Sequence, residues 1–262
     1  MTRRRALLAA LLFFPLAHAQ EENLTVPFIT TPDEVVHRML ELAETRPGDL
    51  VVDLGSGDGR IVIAAAQKFG ARGLGIELDG ALVAKSRDNA LRAGVAGRTS
   101  FVQGDVLTAD LSAASVVTVY LLPGLINRLQ PRFLEHLPPG TRIVSHAFTM
   151  TGWKPDRRET MRIAGRHPGQ GDESSLFLWI VPAEVRGVWQ ATGTRIRIHQ
   201  NFQEIELEGR LLGRDLASSR ASLRGREIAW EADGRRFQGR LERDRIVGEL
   251  VGSGPLTLSR AR

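Results

Sequence analysis

The chain contains no cysteine and a single tyrosine among its 262 residues. The absence of cysteine excludes a thiol nucleophile, a disulfide framework and any metal site built on thiolates. The six histidines do not follow the spacing of known metal-binding motifs, so we expect no bound metal. No G-x-S-x-G segment occurs either, which argues against a serine hydrolase of the α/β type.

Lysine is also scarce. Lys68, Lys85 and Lys154 are the three lysines among 35 basic residues, and the formal net charge is +5. The remaining basic residues are arginines spread along the whole chain, whereas nucleic-acid binding surfaces concentrate them on one face or helix. We therefore expect no nucleic-acid partner.

Long apolar runs are missing, and the N-terminus carries only a short one from Ala6 to Ala17. Three arginines precede it and Ala17-His18-Ala19 follows it, which is the layout of a secretory signal with a small-x-small cleavage site. The run is shorter than the ~20 residues of a membrane-spanning helix. We expect residues 1–19 to be a signal peptide and the mature protein to reach the periplasm or envelope. A short uncleaved anchor, with the protein facing the cytoplasm, is the alternative.

Residues 20–182 alternate helical patterns with short apolar runs, which predicts a doubly wound, mostly parallel sheet. The first helix is expected to have Thr31 as its N-cap and Pro32 as its first residue. Two later segments, "RRETMRI" and "SSLFLWIVP", are expected to close the sheet as an edge hairpin. The strands are predicted in "LVVDLG", "ARGLGIELD", "TSFVQGD", "ASVVTVYLL" and "TRIVSHAF".

Residues 183–262 have a different texture, because apolar and polar residues alternate there with a period of two. This pattern and turns such as "ADGRR" predict antiparallel strands, and we interpret the segment as a separate small β-barrel or sandwich. It holds 15 arginines and 11 acidic residues. Solvated outer strand faces account for these arginines; a surface that binds a polyanion is the alternative.

The segment "VVDLGSGDGR", residues 51–60, is a glycine-rich loop that follows a predicted buried strand. A dinucleotide site requires G-x-G-x-x-G, but the last glycine of that pattern is replaced here by Arg60. Asp53 and Asp58 place carboxylates where a pyrophosphate would lie at the helix N-terminus. The loop therefore favours a cationic ligand, and S-adenosylmethionine has both an ammonium and a sulfonium group.

Two more acids follow the next predicted strands: Glu77 after the second and Asp105 after the third. Ligands of open α/β sheets bind at the carboxyl ends of the strands, so we expect both acids to meet the same ligand as Asp53. Glu77 is predicted to accept the ribose hydroxyls and Asp105 the adenine amino group. The loop residues expected to surround the cofactor are Gly55, Ser56, Gly57, Asp58 and Gly59, whose glycines would let the backbone approach the ligand.

With these residues the chain resembles class I S-adenosylmethionine-dependent methyltransferases over roughly residues 26–182. "VPFITTPDEVV", "DLGSGDGRIVIAAA", "GIELD", "QGD" and "VYLLPGL" are similar to a narrower group, the bacterial and mitochondrial protein lysine methyltransferases of the ATP synthase c subunit type. The resemblance implies a seven-stranded Rossmann-like methyltransferase sheet that uses S-adenosyl-L-methionine. It also implies that Asp53, Gly55, Gly57, Glu77 and Asp105 hold the cofactor. The residues after Pro182 lie outside it.

The acceptor side is expected at the end of the fourth strand. Nucleic-acid and some protein N-methyltransferases carry Asn/Asp-Pro-Pro-aromatic there, but this chain has "VYLLP", which disfavours base methylation by that machinery. Tyr120 and His146 are our candidate catalytic residues: Tyr120 to shape the acceptor channel, as the resemblance suggests, and His146 as a base or polar liner. Phe28 and Thr31 are candidate lid residues, and Trp153 is interpreted as an aromatic plug beneath a loop.

The sequence therefore predicts methyl transfer to a protein amine, with lysine as the leading acceptor by resemblance. A small-molecule or lipid N/O-methyltransferase is one alternative. A non-catalytic envelope binding protein is another, because S-adenosylmethionine is made in the cytosol and would be scarce outside it. We expect the C-terminal segment to bind a partner in the cell envelope.

Overall fold

A computed structural model describes residues 29–167, 171–216, 220–232 and 234–261. Its first sheet has seven strands, and four helices belong to the same part of the chain. The strands are β1 Leu50–Leu54, β2 Arg72–Glu77, β3 Thr99–Gln103, β4 Val116–Val119, β5 Arg142–His146, β6 Arg157–His167 and β7 Gly171–Ile180. The helices are α1 Asp33–Leu42, α2 Arg60–Phe69, α3 Gly80–Arg92 and α4 Pro123–His136.

The strand order in this sheet is β3-β2-β1-β4-β5-β7-β6. β1 to β5 run parallel to one another, whereas β7 runs antiparallel to both β5 and β6. The predicted doubly wound, mostly parallel seven-stranded sheet is thus confirmed. The predicted edge hairpin is present with longer strands, and its second strand, β7, is the one that pairs with β5.

Both faces of the central strands are buried, as expected where helices cover a parallel sheet. β4 is buried along its whole length. One apolar cluster joins the sheet to α4, through residues such as Ile126 and Phe133. Another joins it to α1, through Val35 and Met39.

The start of α1 differs from the prediction. The helix begins at Asp33, Pro32 occupies the N-cap, and no side chain of the described residues caps it. Thr31 is therefore not the N-cap. Its side chain is buried, and its Oγ1 lies 3.3 Å from Nδ1 of His146. The hydroxyl is used in a tertiary contact and not in a local one.

The second sheet is antiparallel and has nine strands. They are β8 Gly187–Ala191, β9 Thr194–Asn201, β10 Glu204–Leu211, β11 Arg214–Asp215, β12 Arg220–Arg224, β13 Glu227–Ala232, β14 Arg235–Glu242, β15 Arg245–Leu250 and β16 Gly254–Arg260. Their order in the sheet is β11-β10-β9-β8-β16-β15-β14-β13-β12. Strands β10 and β12, near its two ends, lie in contact, which curls the sheet towards a barrel and away from a sandwich. Trp189, Trp230 and Phe237 are buried inside it.

The outer face of this curled sheet carries cross-strand ion pairs. Nε of Arg197 lies 3.4 Å from Oε1 of Glu208, and Nε of Arg210 lies 2.9 Å from Oδ1 of Asp215. Further pairs of this kind join Arg236 with Glu231 and Arg240 with Glu227. These contacts support the interpretation of the arginines as solvated strand faces. Within the described residues, no helix combines the length and apolar character needed to cross a bilayer.

Candidate active site

Five predicted site residues lie at or just beyond the carboxyl ends of β1 to β5, along one edge of the first sheet. Asp53 is the next-to-last residue of β1, and Glu77 and His146 are the last residues of β2 and β5. Tyr120 directly follows β4, and Asp105 lies two residues beyond β3. Because these strands are parallel, the fold collects the five side chains at the edge where ligands of such sheets bind.

The glycine loop is shaped as much by protein packing as by access for a ligand. Gly55, Gly57 and Gly59 all have positive φ angles, of 76°, 53° and 81°. A Cβ at Gly55 would lie 2.8 Å from Cδ2 of Leu121, and one at Gly59 would lie 2.7 Å from the ring of Phe101. The space that a side chain would need at these two positions is filled by the protein itself. Packing is thus one reason for glycine at these two positions, and the expected approach of the loop backbone to a ligand stays a prediction.

Ser56 packs beneath the loop. Its amide donates to the Ile76 carbonyl at 3.1 Å. Its Oγ is buried and has no hydrogen-bond partner within the described part of the chain. A Cβ at Gly75 would approach that oxygen to 2.5 Å, so the side chain lies over β2. The assignment of Ser56 to the cofactor stays a prediction.

Asp58 is held by Arg60 in a two-point ion pair. Nε of Arg60 donates to Oδ1 at 2.9 Å and Nη2 donates to Oδ2 at 2.7 Å. Burial alone would raise the pKa of Asp58, but the hydrogen bonds and charge of Arg60 outweigh it and leave that pKa lowered. The negative charge of Asp58 is thus balanced within the protein, which leaves Asp53 and Glu77 as the acids of this edge available to a cation.

Asp53 is the most perturbed group of the site. Its side chain is buried, and Oγ1 of Thr118 on β4 donates to its Oδ1 at 2.7 Å. Burial is the main cause that raises its pKa to about 7; the Thr118 hydrogen bond opposes the rise, and the negative charges of Glu77 and Asp58 add to it. A carboxylate desolvated beside other carboxylates is stabilised by a cationic ligand.

Glu77 is fixed in place by two backbone amides. Oε2 accepts from the Gly57 amide at 2.8 Å, and Oε1 accepts from the Asp79 amide at 3.1 Å. Each carboxylate oxygen has two lone-pair sites, so one on each oxygen remains for a ligand. This arrangement suits the predicted contact with a pair of hydroxyl groups.

Asp105 is exposed and shapes the turn after β3. Its Oδ1 accepts from the Leu107 amide at 2.8 Å, and its carbonyl accepts from Oγ1 of Thr108 at 3.2 Å. The Gly104 amide donates to the carbonyl of Glu77 at 2.9 Å, which ties this turn to the end of β2. Asp105 and Glu77 therefore belong to one connected rim.

The charged groups at this edge of the sheet suit S-adenosylmethionine as a ligand. Among the described residues, neither Asp53 nor Glu77 has a basic side chain within ion-pair distance, and Asp53 carries the raised pKa expected of an acid that lacks a cation. A diphosphate would add negative charge to this group, whereas an ammonium or sulfonium would relieve it.

The two predicted catalytic residues lie in direct ring contact. The centroids of Tyr120 and His146 are 4.3 Å apart at an interplanar angle of 37°. Phe148 stacks on the tyrosine with centroids 6.3 Å apart at 16°. These three rings, at the ends of β4 and β5, form what we call the aromatic wall.

His146 is fully buried and contacts a hydroxyl with each ring nitrogen. Nδ1 lies 3.3 Å from Oγ1 of Thr31, and Nε2 lies 3.2 Å from Oγ of Ser174. These two contacts fix the imidazole ring in place as a liner of the wall, and its role as a base stays a prediction. Of the two candidate lid residues, Thr31 contacts the wall and Phe28 lies outside the described residues.

Several residues of the site have no clear signal in the sequence. Thr118 reaches Asp53 from the neighbouring strand, and Ser174 reaches His146 from β7. In the sequence, Arg60 is notable only because it replaces the last glycine of the dinucleotide-binding pattern. In the structure, its Nη1 also donates to the carbonyl of Thr31 at 2.9 Å. A polar residue inside an otherwise apolar strand, such as Thr118 in "VVTV", is the one available signal.

Comparison with known proteins agrees with this geometry. The family model described as the ANTKMT methyltransferase domain matches residues 53–157. A protein-lysine N-methyltransferase of Saccharolobus islandicus is 44% identical over 131 residues, which are 50% of this chain and 81% of that protein. The Xenopus laevis lysine N-methyltransferase of the ATP synthase c subunit is 35% identical over 134 residues, 51% of this chain and 58% of that protein.

A solved structure is also similar. It is that of an RNA methyltransferase from Salinibacter ruber in complex with S-adenosyl-L-homocysteine, with 50% sequence identity and a TM-score of 0.54. The match covers 60% of this chain and 96% of that one.

The fold and the acidic glycine loop define a class I S-adenosylmethionine-dependent methyltransferase. Within that class, the chain belongs to the family of the protein-lysine N-methyltransferases, as its likeness to most of the Saccharolobus islandicus protein shows. The matched family model lies wholly within the part of the chain that forms the first sheet.

Proposed function

We propose that this enzyme methylates the side-chain amine of lysine in a protein. The observation that carries the proposal is the aromatic wall beside an edge of uncompensated acids. The wall presents apolar ring faces where an amine can be desolvated, and the acids provide a place for a cationic cofactor. The names of the Saccharolobus islandicus and Xenopus laevis relatives, both lysine N-methyltransferases, support lysine as the acceptor.

Asp53, Glu77 and Asp105 would hold the cofactor, together with the backbone of residues 55–59. When bound, S-adenosylmethionine supplies a methyl group activated by a positively charged sulfur. Thr118 keeps the carboxylate of Asp53 oriented, and the amides of Gly57 and Asp79 do the same for Glu77. The protein's main contribution is to hold these groups in place before the acceptor binds. Such alignment of the reactants accelerates the transfer.

The acceptor amine has to lose its proton before it can attack. Burial against the rings of Tyr120 and Phe148 disfavours the ammonium form, because a charge removed from water lowers the pKa of an amine. The proton then leaves to solvent before the wall is fully covered. His146, locked between Thr31 and Ser174, keeps Tyr120 in place and does not need to take the proton.

RNA is the second candidate acceptor, because the similar Salinibacter ruber structure is named an RNA methyltransferase. Two observations weigh against it. The end of β4 reads "VYLLP" and lacks the Asn/Asp-Pro-Pro-aromatic signature that nucleic-acid and some protein N-methyltransferases carry, which disfavours base methylation by that machinery. In the second sheet, arginines such as Arg197 and Arg210 are paired with acids across the strands.

The test is a labelling experiment with the full chain. Extract from cells that lack the enzyme is incubated with it and with S-adenosylmethionine tritiated in the methyl group. Portions are then treated with protease, treated with ribonuclease or extracted for lipids, and the protein is hydrolysed to amino acids. We expect protease-sensitive label that is recovered as methyl-lysine. Label recovered in RNA, in lipid or in small molecules would contradict the proposal and support the corresponding alternative acceptor.

Two variants make the labelling experiment specific. Asp53→Asn removes the buried carboxylate but keeps its shape, and we expect it to abolish labelling. Asp88→Asn changes an exposed acid on α3 and should leave labelling intact. If the wild-type chain binds S-adenosylmethionine in calorimetry and labels nothing, the non-catalytic binding protein is the better description.

We further propose that the protein works outside the cytoplasm. The support is the arrangement of Arg3 to Arg5, the short apolar run and Ala17-His18-Ala19; these residues lie outside the described part of the structure. Cell fractionation with N-terminal sequencing tests it. A chain that begins at Gln20 in the periplasmic fraction is expected, and an intact N-terminus in the cytoplasmic or membrane fraction would contradict export.

A further inference from the structure

The turn between β9 and β10 in the second sheet contacts the first sheet's domain. Phe202 occupies this turn with a φ of 54°, in the left-handed region that a bulky residue seldom adopts. The ring is half-buried and packs against the apolar cluster that contains Leu121 and Met150 of the methyltransferase fold. A two-residue hairpin turn between Asn201 and Glu204 accounts for this positive φ, so the turn geometry projects the Phe202 ring towards the first sheet's domain.

Two side chains of this turn hold Trp153. The rings of Phe202 and Trp153 stack with centroids 5.3 Å apart at an angle of 7°. Oε1 of Gln203 accepts from Nε1 of Trp153 at 2.8 Å, while its Nε2 donates to the carbonyl of Lys154 at 2.6 Å. The turn thus contacts Trp153 and Lys154 through one ring stack and two hydrogen bonds.

Trp153 lies in the loop between β5 and β6, residues 147–156, which we call the β5 loop. The tryptophan is buried, and its carbonyl accepts from Nε1 of Trp179 at 2.9 Å. The same loop carries Phe148, whose carbonyl accepts from Oγ of Ser145 at 2.6 Å. Phe148 is the member of the aromatic wall that stacks on Tyr120. One end of the β5 loop therefore lines the acceptor side, and the other is held by the second sheet.

The second sheet is anchored at another point as well. A Cβ at Gly225 would lie 2.9 Å from Cα of Gly140, so the two backbones are in close contact. Two separated attachments oppose rotation of the second sheet about either one, which keeps Phe202 and Gln203 in position.

We propose that Phe202 and Gln203 are positioning residues of the methyltransferase: they fix the β5 loop and, through Phe148, the acceptor side of the active site. Neither residue touches the acid-lined cofactor edge. The second sheet would then act on acceptor binding and leave cofactor binding unchanged. The acceptor chemistry rests on the proposed function, but the positioning effect does not.

The chain's one tyrosine provides a direct test. Protein labelled with 3-fluorotyrosine gives a single fluorine NMR resonance, from Tyr120 in the aromatic wall. In Phe202→Ala, and in Gln203→Met, which keeps the volume but removes both hydrogen bonds, we expect that resonance to shift or broaden. Arg243→Ala changes another left-handed turn residue of the second sheet and should leave the resonance unchanged.

The NMR result stands independently of any methyltransferase assay. An unchanged Tyr120 resonance in both folded variants would overturn the proposal, and near-ultraviolet circular dichroism reports whether they are folded. Should Phe202→Ala fail to fold, Gln203→Met carries the test alone, because it removes no packing volume.

Kinetics give a second, separable readout. With the acceptor fraction found in the labelling experiment, Phe202→Ala should raise KM for the acceptor about tenfold, while the Kd for S-adenosylmethionine stays within about twofold of wild type. Phe202→Tyr, which keeps the stack, should restore KM. A loss of cofactor affinity equal to the loss of acceptor affinity would show general destabilisation and contradict the positioning role.

Discussion

The acids at the carboxyl edge of the first sheet and those on the outer face of the second sheet differ in whether a basic side chain pairs with them. In the first sheet Asp53 and Glu77 lie at strand ends, and among the described residues no basic side chain pairs with either. In the second sheet acids such as Glu208 and Asp215 lie along the strands opposite arginines. Acids left without a partner at a parallel sheet edge mark a site for a cation, whereas paired acids on an antiparallel face contribute to solubility and register.

The largest effect we predict concerns a glycine of the loop that follows β1 in the first sheet. Gly59→Ala should lower the free energy of unfolding by about 3 kcal/mol, because its Cβ would meet the Phe101 ring and Ser86 in a backbone with positive φ. Gly94→Ala is the matched control: its φ is 70° with open space around it, and it should cost about 1 kcal/mol. Urea denaturation measures both.

Equal losses for the two glycine variants would show that backbone conformation alone governs the loop. The packing explanation for Gly59 would then be wrong, and its closeness to a ligand would again be the simpler reason for glycine there.

The next effect tests whether the unpaired acids hold the cofactor. Asp53→Asn should weaken S-adenosylmethionine binding about 100-fold, since it removes a buried charge that faces a cation. Its unfolding free energy should not fall near pH 7.5, because an isolated buried carboxylate is itself costly. Glu208→Gln, in the second sheet, should leave the affinity unchanged. Isothermal calorimetry measures both, and an unaffected Kd in Asp53→Asn would remove Asp53 from the site.

The sequence predicted most of this site because the order of elements determines which strand ends meet. Each of five residues lies at or just beyond the end of a recognisable strand, and parallel pairing brings them to one edge: Asp53, Glu77, Asp105, Tyr120 and His146. The partners Thr118 and Ser174 were not predicted, because which residues lie opposite each other depends on strand register. The contact of Phe202 with Trp153 joins two folding units and has no local pattern at all.

A third prediction concerns pH. The pKa of Asp53 is raised to about 7 in the folded protein, so a cationic cofactor has to displace a proton below that pH. Affinity for S-adenosylmethionine should fall about tenfold for each pH unit below 7. Calorimetry at pH 6 in buffers of different ionisation enthalpy should show release of close to one proton. No proton release at that pH would contradict the raised pKa.

The same raised pKa affects the stability of the free protein. Between about pH 4 and pH 7 the folded state keeps a proton on Asp53 that the unfolded state has lost, so this group's contribution falls as pH rises through that range. In Asp53→Asn this contribution is absent. The difference in unfolding free energy between variant and wild type should therefore grow in favour of the variant from pH 4.5 to pH 7.

The smallest effect concerns the paired acids of the second sheet. Oε1 of Glu208 lies 3.4 Å from Nε of Arg197 and 3.1 Å from Nε2 of His199, and all three side chains are more than half exposed. Solvent screens such pairs, so Glu208→Gln should change the unfolding free energy by less than about 0.5 kcal/mol, and added salt should erase the change. A double-mutant cycle with Arg197→Gln measures the coupling. A coupling above about 1 kcal/mol would show that ion pairs contribute appreciably to the stability of this sheet. The two sheets would then differ in where their acids find partners and not in how much those acids contribute to stability.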